Sequence, residues 1–211
     1  AVPLLSPRRR TGRRPLRPVP IRTTRRSFPS RRIERDEGPR PDSTLDDLAD
    51  LPPAFREEGT VTPANASKLS DGAGVVLLAR EDAAAELGVE PMAELVDYRY
   101  VYRDPDELNE AVADVVEAIL DENDLEVADV GTFWVNEAFA AQEVYVIERL
   151  GIPREKMNPR GGAVAFGHPI GASGGMITAS LAYELRDENL EYGLSGMSIG
   201  GGGAVMSLWR R

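Results

Sequence analysis

Cysteine is absent from the 211 residues, lysine occurs only as Lys68 and Lys156, and histidine only as His168. Without cysteine the chain as written has no disulfide, no thiolate metal site and no thiol nucleophile, and no metal ligation is expected. No apolar run approaches the roughly 20 residues of a membrane-crossing helix, and no charged-then-apolar leader opens the text, so a soluble, cytoplasmic chain with no membrane partner is expected. What is present is 42% hydrophobic residues, enough for a packed core, and a formal charge of -10.

That net charge is the sum of two unlike regions. Residues 1–35 hold twelve arginines and one acid, Glu34. The remaining residues are strongly acidic. Abundant Asp and Glu with few lysines suit a salt-rich cytoplasm that screens self-repulsion, and a halophilic source is expected. The Arg/Pro/Ser/Thr text of 1–35 lacks periodicity and reads as a disordered arm. It lacks interleaved aromatics and is joined to a body of opposite sign, so nucleic acid is not expected as a partner. The chain starts at Ala1, and such a composition also results from reading a GC-rich coding region out of frame; a native arm and a non-native reading both stand.

From residue 36 the text alternates strands and helices. Ser43 or Thr44 can cap a short helix carrying Leu45, Leu48 and Leu51. "TVTPANASKLSDGAGVVLLAR" reads as a strand, a turn and a buried strand "GVVLLA". "EDAAAELGV" is a short helix stopped by Gly88, and "MAELVDYRYVY" is a strand. "DPDELNEAVADVVEAILDEND" is the clearest helix: Asp104 is its expected cap, Leu108, Val112, Val115 and Ile119 form its apolar face, and Asp106, Glu110, Asp114, Glu117 and Asp121 form a solvated stripe. "VADVGTFWVNEAFAAQEVYVIERLG" passes from strand to helix with Asn136 and Glu137 at the junction. A helix from Ser173 to about Asp187, the strand "YGLSGMSIG", a glycine turn at 200–203 and the strand "AVMSLW" close the chain. The pattern implies an α/β layered fold with a mixed sheet.

Three stretches fall at element ends, where sites of α/β sheets collect. In "NPRGGAVAFGHPIGASGG" the only histidine stands among glycines, which give no walls for packing but allow a ligand close. His168 also precedes a helix N-terminus, and its ring can donate to a developing oxyanion or take a proton. Asn136 in "VNEAFAAQ" can hold a water or a carbonyl partner, while Glu137 reads as a carboxylate that stabilises a helix N-terminus. "GGGG" at 200–203 exceeds what a hairpin needs and offers backbone N–H groups. It lacks the Lys-Ser/Thr of a phosphate loop and does not open a helix, so nucleotide binding by those routes is not expected.

Taken in order, "NEAFAAQ", "NPRGGAVAFGHPIGASG" and "GGGGA" before a terminal apolar strand resemble the C-terminal half of the thiolases. "DEGPRPDSTLDDLADLPPAF" and "TPANASKLSDGA" resemble the text just upstream in that family. The resemblance implies a thiolase-like layered α-β-α fold with a mixed five-stranded sheet, C-terminal half only. It divides the chain into the arm 1–35, a remnant of an N-terminal domain at 36–90, and a C-terminal domain at 91–211. It implies acyl transfer between acetyl-CoA and acyl-CoA, or its reverse, in fatty acid metabolism. Coenzyme A is the substrate and no separate cofactor is needed.

By the same resemblance, the catalytic set is His168 as activating imidazole, Asn136 as holder of a water in an oxyanion site, Gly200 as N–H donor of a second oxyanion site, and Ser198 where the family carries its acid/base Cys. Ser67, Ala138 and Phe139 would line the substrate channel. A serine hydroxyl is several units less acidic than a thiol and is a poor proton carrier in that place. The nucleophilic Cys lies in family text that the sequence lacks. Three readings follow: a fragment or frameshifted form inactive by itself, whose parent would be a homo-oligomer, a subunit of a heteromeric enzyme whose partner bears the Cys, or a non-catalytic acyl-CoA-binding or scaffold protein.

Overall fold

The computed structural model describes residues 40–211. The arm at 1–35 and the first residues of the 36–90 segment lie outside the described part. The chain opens with α1 (Leu45–Ala49), capped by Thr44 rather than Ser43: the Thr44 hydroxyl accepts the Asp47 N–H, and the Asp47 carboxylate accepts the Thr44 N–H in return at 2.9 Å. Helix α2 (Glu81–Leu87) stops at Gly88 in the left-handed conformation, as the sequence implies.

Strand β1 (Glu94–Tyr102) leads to α3 (Leu108–Glu122). The expected cap at Asp104 is a correction: Glu107 occupies the N-cap, and Asp104 instead accepts the Glu107 N–H in a turn. The reason is tertiary. The Arg103 N–H is bonded to the Gly202 carbonyl at 3.0 Å, which holds residues 103 and 104 beside the terminal hairpin and delays the helix. The acidic face of α3 is also more than a solvated stripe, because Asp114 pairs with Arg103 and Arg149, and Glu117 with Arg149.

Strand β2 (Val130–Val135) is followed by α4 (Ala140–Leu150), a 3-10 turn at Arg154–Lys156, α5 (Ala163–Phe166), α6 (Ile170–Glu188), β3 (Tyr192–Ile199) and β4 (Gly203–Arg210). Helix α6 starts three residues before the Ser173 expected from sequence, directly after Pro169. The sheet has the order β1-β4-β3-β2, with β2 and β3 parallel and the other two pairings antiparallel. Helices α3 and α4 cover one face and α6 the other, which gives the α-β-α layering.

Burial explains the layering. Val112, Val115, Val116 and Ile119 of α3 are fully buried against Phe133, Leu194, Met206 and Leu208 of the sheet. On the other face Leu181 and Leu185 of α6 are fully buried with Ile177, Trp134 and Trp209. Each such side chain contributes about 1.5 to 3 kcal/mol on removal from water.

The expected fifth strand is not formed: the described residues hold four strands. "GVVLLA" at 74–79 has no strand partner, and Val75 and Leu77 are 89% and 88% exposed. Its β-branched composition suits a sheet, but a strand needs a neighbour for its N–H and C=O groups, and no described segment supplies one. Gly74 lies instead on the backbone of α6, where a Cβ would fall 2.5 Å from the Met176 nitrogen. The strand expected near residue 61 is likewise reduced to two isolated bridges further along, Ala66 to Phe139 and Leu69 to His168.

Candidate active site

The parallel pair β2–β3 ends in two of the segments singled out by sequence. Val135 is in register with Gly196, and the next N–H, that of Asn136, donates to the Gly196 carbonyl at 2.9 Å. Asn136 is buried, and its carbonyl accepts from the Ala138 N–H at 3.0 Å and from Gln142 Nε2 at 3.1 Å. Those bonds fix its backbone. Its carboxamide has no hydrogen-bonding partner among the described residues.

Across the same edge, Ser198 pairs with Ala204 near the end of β3, and Ile199 with Gly203 closes the hairpin. The connecting loop is therefore Gly200, Gly201 and Gly202. Gly201 and Gly202 have φ of 91° and 85°, which only glycine adopts readily. At Gly203 a side chain would strike the Tyr102 ring, 2.6 Å away. Gly200 has no positive φ and no neighbour within 4 Å of the Cβ position, so its backbone is open to solvent without a steric demand for glycine.

His168 stands between α5 and α6. Its N–H donates to the Lys68 carbonyl at 2.8 Å, it forms a bridge with Leu69, and Pro169 next to it is the N-cap of α6. The ring Nδ1 lies 2.7 Å from the hydroxyl of Ser173, itself buried in the first turn of α6. Burial holds the imidazole below its ordinary pKa, so it is neutral at pH 7. With Ser173 donating to Nδ1, Nε2 carries the proton and can donate; with Ser173 accepting, Nε2 is free to take a proton.

Residues 65–70 connect these parts. The Ser67 N–H donates to the Ala138 carbonyl at 3.0 Å, the Ala140 N–H donates to the Asn65 carbonyl at 2.8 Å, and Lys68 and Leu69 then engage His168. Gly167 passes so close to Ser70 that a Cβ would fall 2.3 Å from its hydroxyl oxygen. Phe139 meets Phe55 edge to face at 5.8 Å. Ser67, Ala138 and Phe139 are thus brought together, and His168 is tied to them through the backbone; Asn136 follows the C-terminal end of β2, and Ser198 and Gly200 lie at that of β3.

Sequence reasoning missed three contributors. Ser173 orients the imidazole, and its place in "HPIGAS" one helical turn after Pro169 is the signal that was available. Asn158 is buried with a φ of 43° and continues the β2 ladder with its side chain: Oδ1 accepts the Val135 N–H at 3.1 Å and Nδ2 donates to the Val135 carbonyl at 2.8 Å. Glu143, in the first turn of α4, accepts from Asn158 Nδ2 at 2.9 Å and pairs with Arg154 at 3.2 Å. Glu137 does stabilise a helix start, but that of α5, where it accepts the Val164 N–H at 2.9 Å.

Among the described residues no group of three or more His, Asp or Glu could hold a metal ion, and no helix is long and apolar enough to cross a membrane.

Comparison with known proteins gives a consistent likeness. The family model described as thiolase, C-terminal domain, matches residues 89–211, and that described as thiolase, N-terminal domain, matches residues 17–82. The second match begins inside the arginine-rich stretch. A probable acetyl-CoA acyltransferase of Staphylococcus aureus (strain MRSA252) is 42% identical over 190 residues, which cover 90% of this chain and 48% of that protein. The structure of the Bacillus anthracis acetyl-CoA acetyltransferase is similar with a TM-score of 0.83 and 40% identity, covering 91% of this chain and 48% of that one. Human mitochondrial 3-ketoacyl-CoA thiolase in complex with CoA gives 0.80 and 38%, covering 86% and 46%. The dimeric peroxisomal thiolase of Saccharomyces cerevisiae gives 0.76 and 37%, covering 85% and 45%. The chain spans about half the length of the curated relatives it matches.

Proposed function

The chain belongs to the thiolase family, and from that we propose that it supplies the His168 side of a thiolase-type active site acting on acyl-CoA. The reaction is acyl transfer between acetyl-CoA and acyl-CoA to give 3-ketoacyl-CoA and CoA, or the reverse. The observation that carries this reading is the joining of the "NEAFA" loop and the His168 loop by the backbone bonds of residues 65–70.

Claisen chemistry places negative charge on a thioester oxygen twice, so it needs two donor sites. His168 Nε2, with a water held by the unpartnered Asn136 carboxamide, suits the first, and the exposed Gly200 N–H suits the second. Ser67, Ala138 and Phe139 form a wall for the pantetheine arm. In the cleavage direction the sulfur nucleophile attacks the 3-keto carbon, the C2–C3 bond breaks, and the C2 carbanion takes a proton to leave as acetyl-CoA. The acyl group then passes from that sulfur to the sulfur of CoA. The nucleophilic Cys comes from family text outside these 211 residues, either the same polypeptide's or a partner's; the first gives a homo-oligomer and the second a heteromer, and the proposed setting is fatty acid metabolism in the cytoplasm.

Ser198 favours a second reading. It stands where the family's proton-carrying Cys would be, and its hydroxyl can donate a hydrogen bond but exchanges protons poorly at neutral pH. On this reading the chain binds acyl-CoA without turning it over.

Thiolysis of a 3-ketoacyl-CoA separates the two, measured with the chain alone and mixed with a Cys-bearing N-terminal thiolase half. Turnover only in the mixture, lowered about 100-fold or more by His168→Ala, supports the enzyme. CoA binding without turnover in the complemented form supports the binding protein, and thiolysis unchanged by His168→Ala overturns the assignment. Ser198→Cys should raise α-proton exchange of bound acyl-CoA; no change at saturating substrate makes residue 198 structural.

A further inference from the structure

The segment that leads from β2 to His168 is held at both ends by one buried carboxyl group and its neighbour. At its start Asn158 binds Glu143, whose side chain is 5% exposed, and at its end the Val164 N–H binds Glu137 Oε2 at 2.9 Å. Gly162 passes between so closely that a Cβ would fall 2.3 Å from the same Glu137 oxygen. Glu137 and Glu143 line one small cleft on α4, and the charge of Glu137 acts on the buried Glu143 carboxyl.

Where two carboxyl groups line one cleft and one of them, Glu143, is buried, the buried one resists ionisation. The other charged groups at this cleft are Arg154, from the turn after α4, and Glu148, on α4 itself. A proton held by Glu143 leaves the pair a single negative charge, which Arg154 answers. That proton lets Glu143 donate to Glu137, and with it Glu137 keeps an oxygen for Val164. Losing the proton sets two negative charges against each other and drives Glu137 away from the amide it caps.

We propose that Glu143 holds a proton and turns it toward Glu137, and that the two act as positioning residues that clamp residues 158–164, and thereby His168, against the end of β2. The clamp rests on the geometry of this chain alone; its bearing on acyl transfer rests on the reading given above.

The test is amide exchange at Val164 in the full chain, by NMR, as a function of pH and corrected for intrinsic rate. Burial first, and then Glu137, push Glu143 up to about 8. The native state therefore holds a proton that the opened state gives up in the ordinary carboxyl range. Protection at Val164 should fall about tenfold per pH unit through the neutral range and level off above about pH 8. Glu143→Gln keeps a donor to Glu137 and removes the titration, so protection should become flat with pH. Carbon-13 observation of the Glu side chains in the parent gives an independent check: one carboxyl should titrate near 8, with a matching step in the His168 ring shift. A parent with flat protection, a slope that survives in Glu143→Gln, or glutamates that all titrate below about 6 overturns the proposal. No turnover is measured, so failure here leaves the acyl-transfer reading standing, and failure of that reading leaves the clamp standing.

Discussion

Replacing Asn158 by Asp changes one NH2 group to an oxygen and leaves the shape intact. Asp tolerates the φ of 43° at this site nearly as well as Asn, so backbone strain does not confound the result. The side chain keeps its acceptor for the Val135 N–H but loses both donations, to the Val135 carbonyl at 2.8 Å and to Glu143 at 2.9 Å. A buried carbonyl left unpaired costs about 1 to 3 kcal/mol, and a new carboxylate beside the singly charged Glu137 and Glu143 pair adds a buried like-charge interaction worth at least as much. The expected loss is about 4 kcal/mol at pH 7.5 in urea unfolding followed by circular dichroism. The sign of its pH dependence is fixed. A buried Asp beside Glu143 has a raised pKa, so the stability that its proton confers is present at low pH and lost as pH rises. Near pH 5 the protonated form donates one hydrogen bond, and the deficit should shrink to about 1 to 2 kcal/mol. Asn158→Ala has no charge to titrate and should cost about 3 kcal/mol at both pH values. A loss under about 1 kcal/mol at pH 7.5 for Asn158→Asp, or equal losses at both pH values, would refute the ladder and carboxyl contacts assigned to this residue.

Gly196→Ala should destabilise the chain by about 3 kcal/mol in the same unfolding assay, because the new Cβ would sit 2.1 Å from the Val205 carbonyl oxygen inside the β3–β4 pairing; a neutral effect would mean that this register is wrong. Ser173→Ala removes the only partner of His168 Nδ1 among the described residues, so the two ring nitrogens should become more alike in nitrogen-15 shift, with a stability loss of about 1 kcal/mol. Unchanged ring shifts would show that Ser173 does not set the tautomer.

Most of the layered fold was legible because its elements carry strong local patterns. The apolar spacing of Leu108, Val112, Val115 and Ile119 produces α3, and Gly88 stops α2. The failures share a cause: they depend on atoms distant in sequence. "GVVLLA" has the composition of a strand, but pairing is a property of two segments, and only one is present among the described residues. Asp104 has the chemistry of a cap, yet the Gly202 carbonyl decides where α3 begins. At the candidate site His168, Asn136 and the glycine run stand out by residue type. Asn158 and Glu143 do not, since a buried carboxyl and an amide that serves as a rung of sheet look like ordinary surface residues until the loop that covers them is in place.

The short run from Asn65 to Ser70 works as a splint made of main chain. Its hydrogen bonds to Ala138, Ala140 and His168 use N–H and C=O groups, which every residue except proline carries in full. The spacing between the two loops is therefore inherited independently of which side chains decorate the splint. The side chains of Ser67 and Leu69 can change, and with them the surface the splint presents, while the imidazole stays where it is. Surface and geometry are set by different atoms of the same six residues, so one can change without disturbing the other.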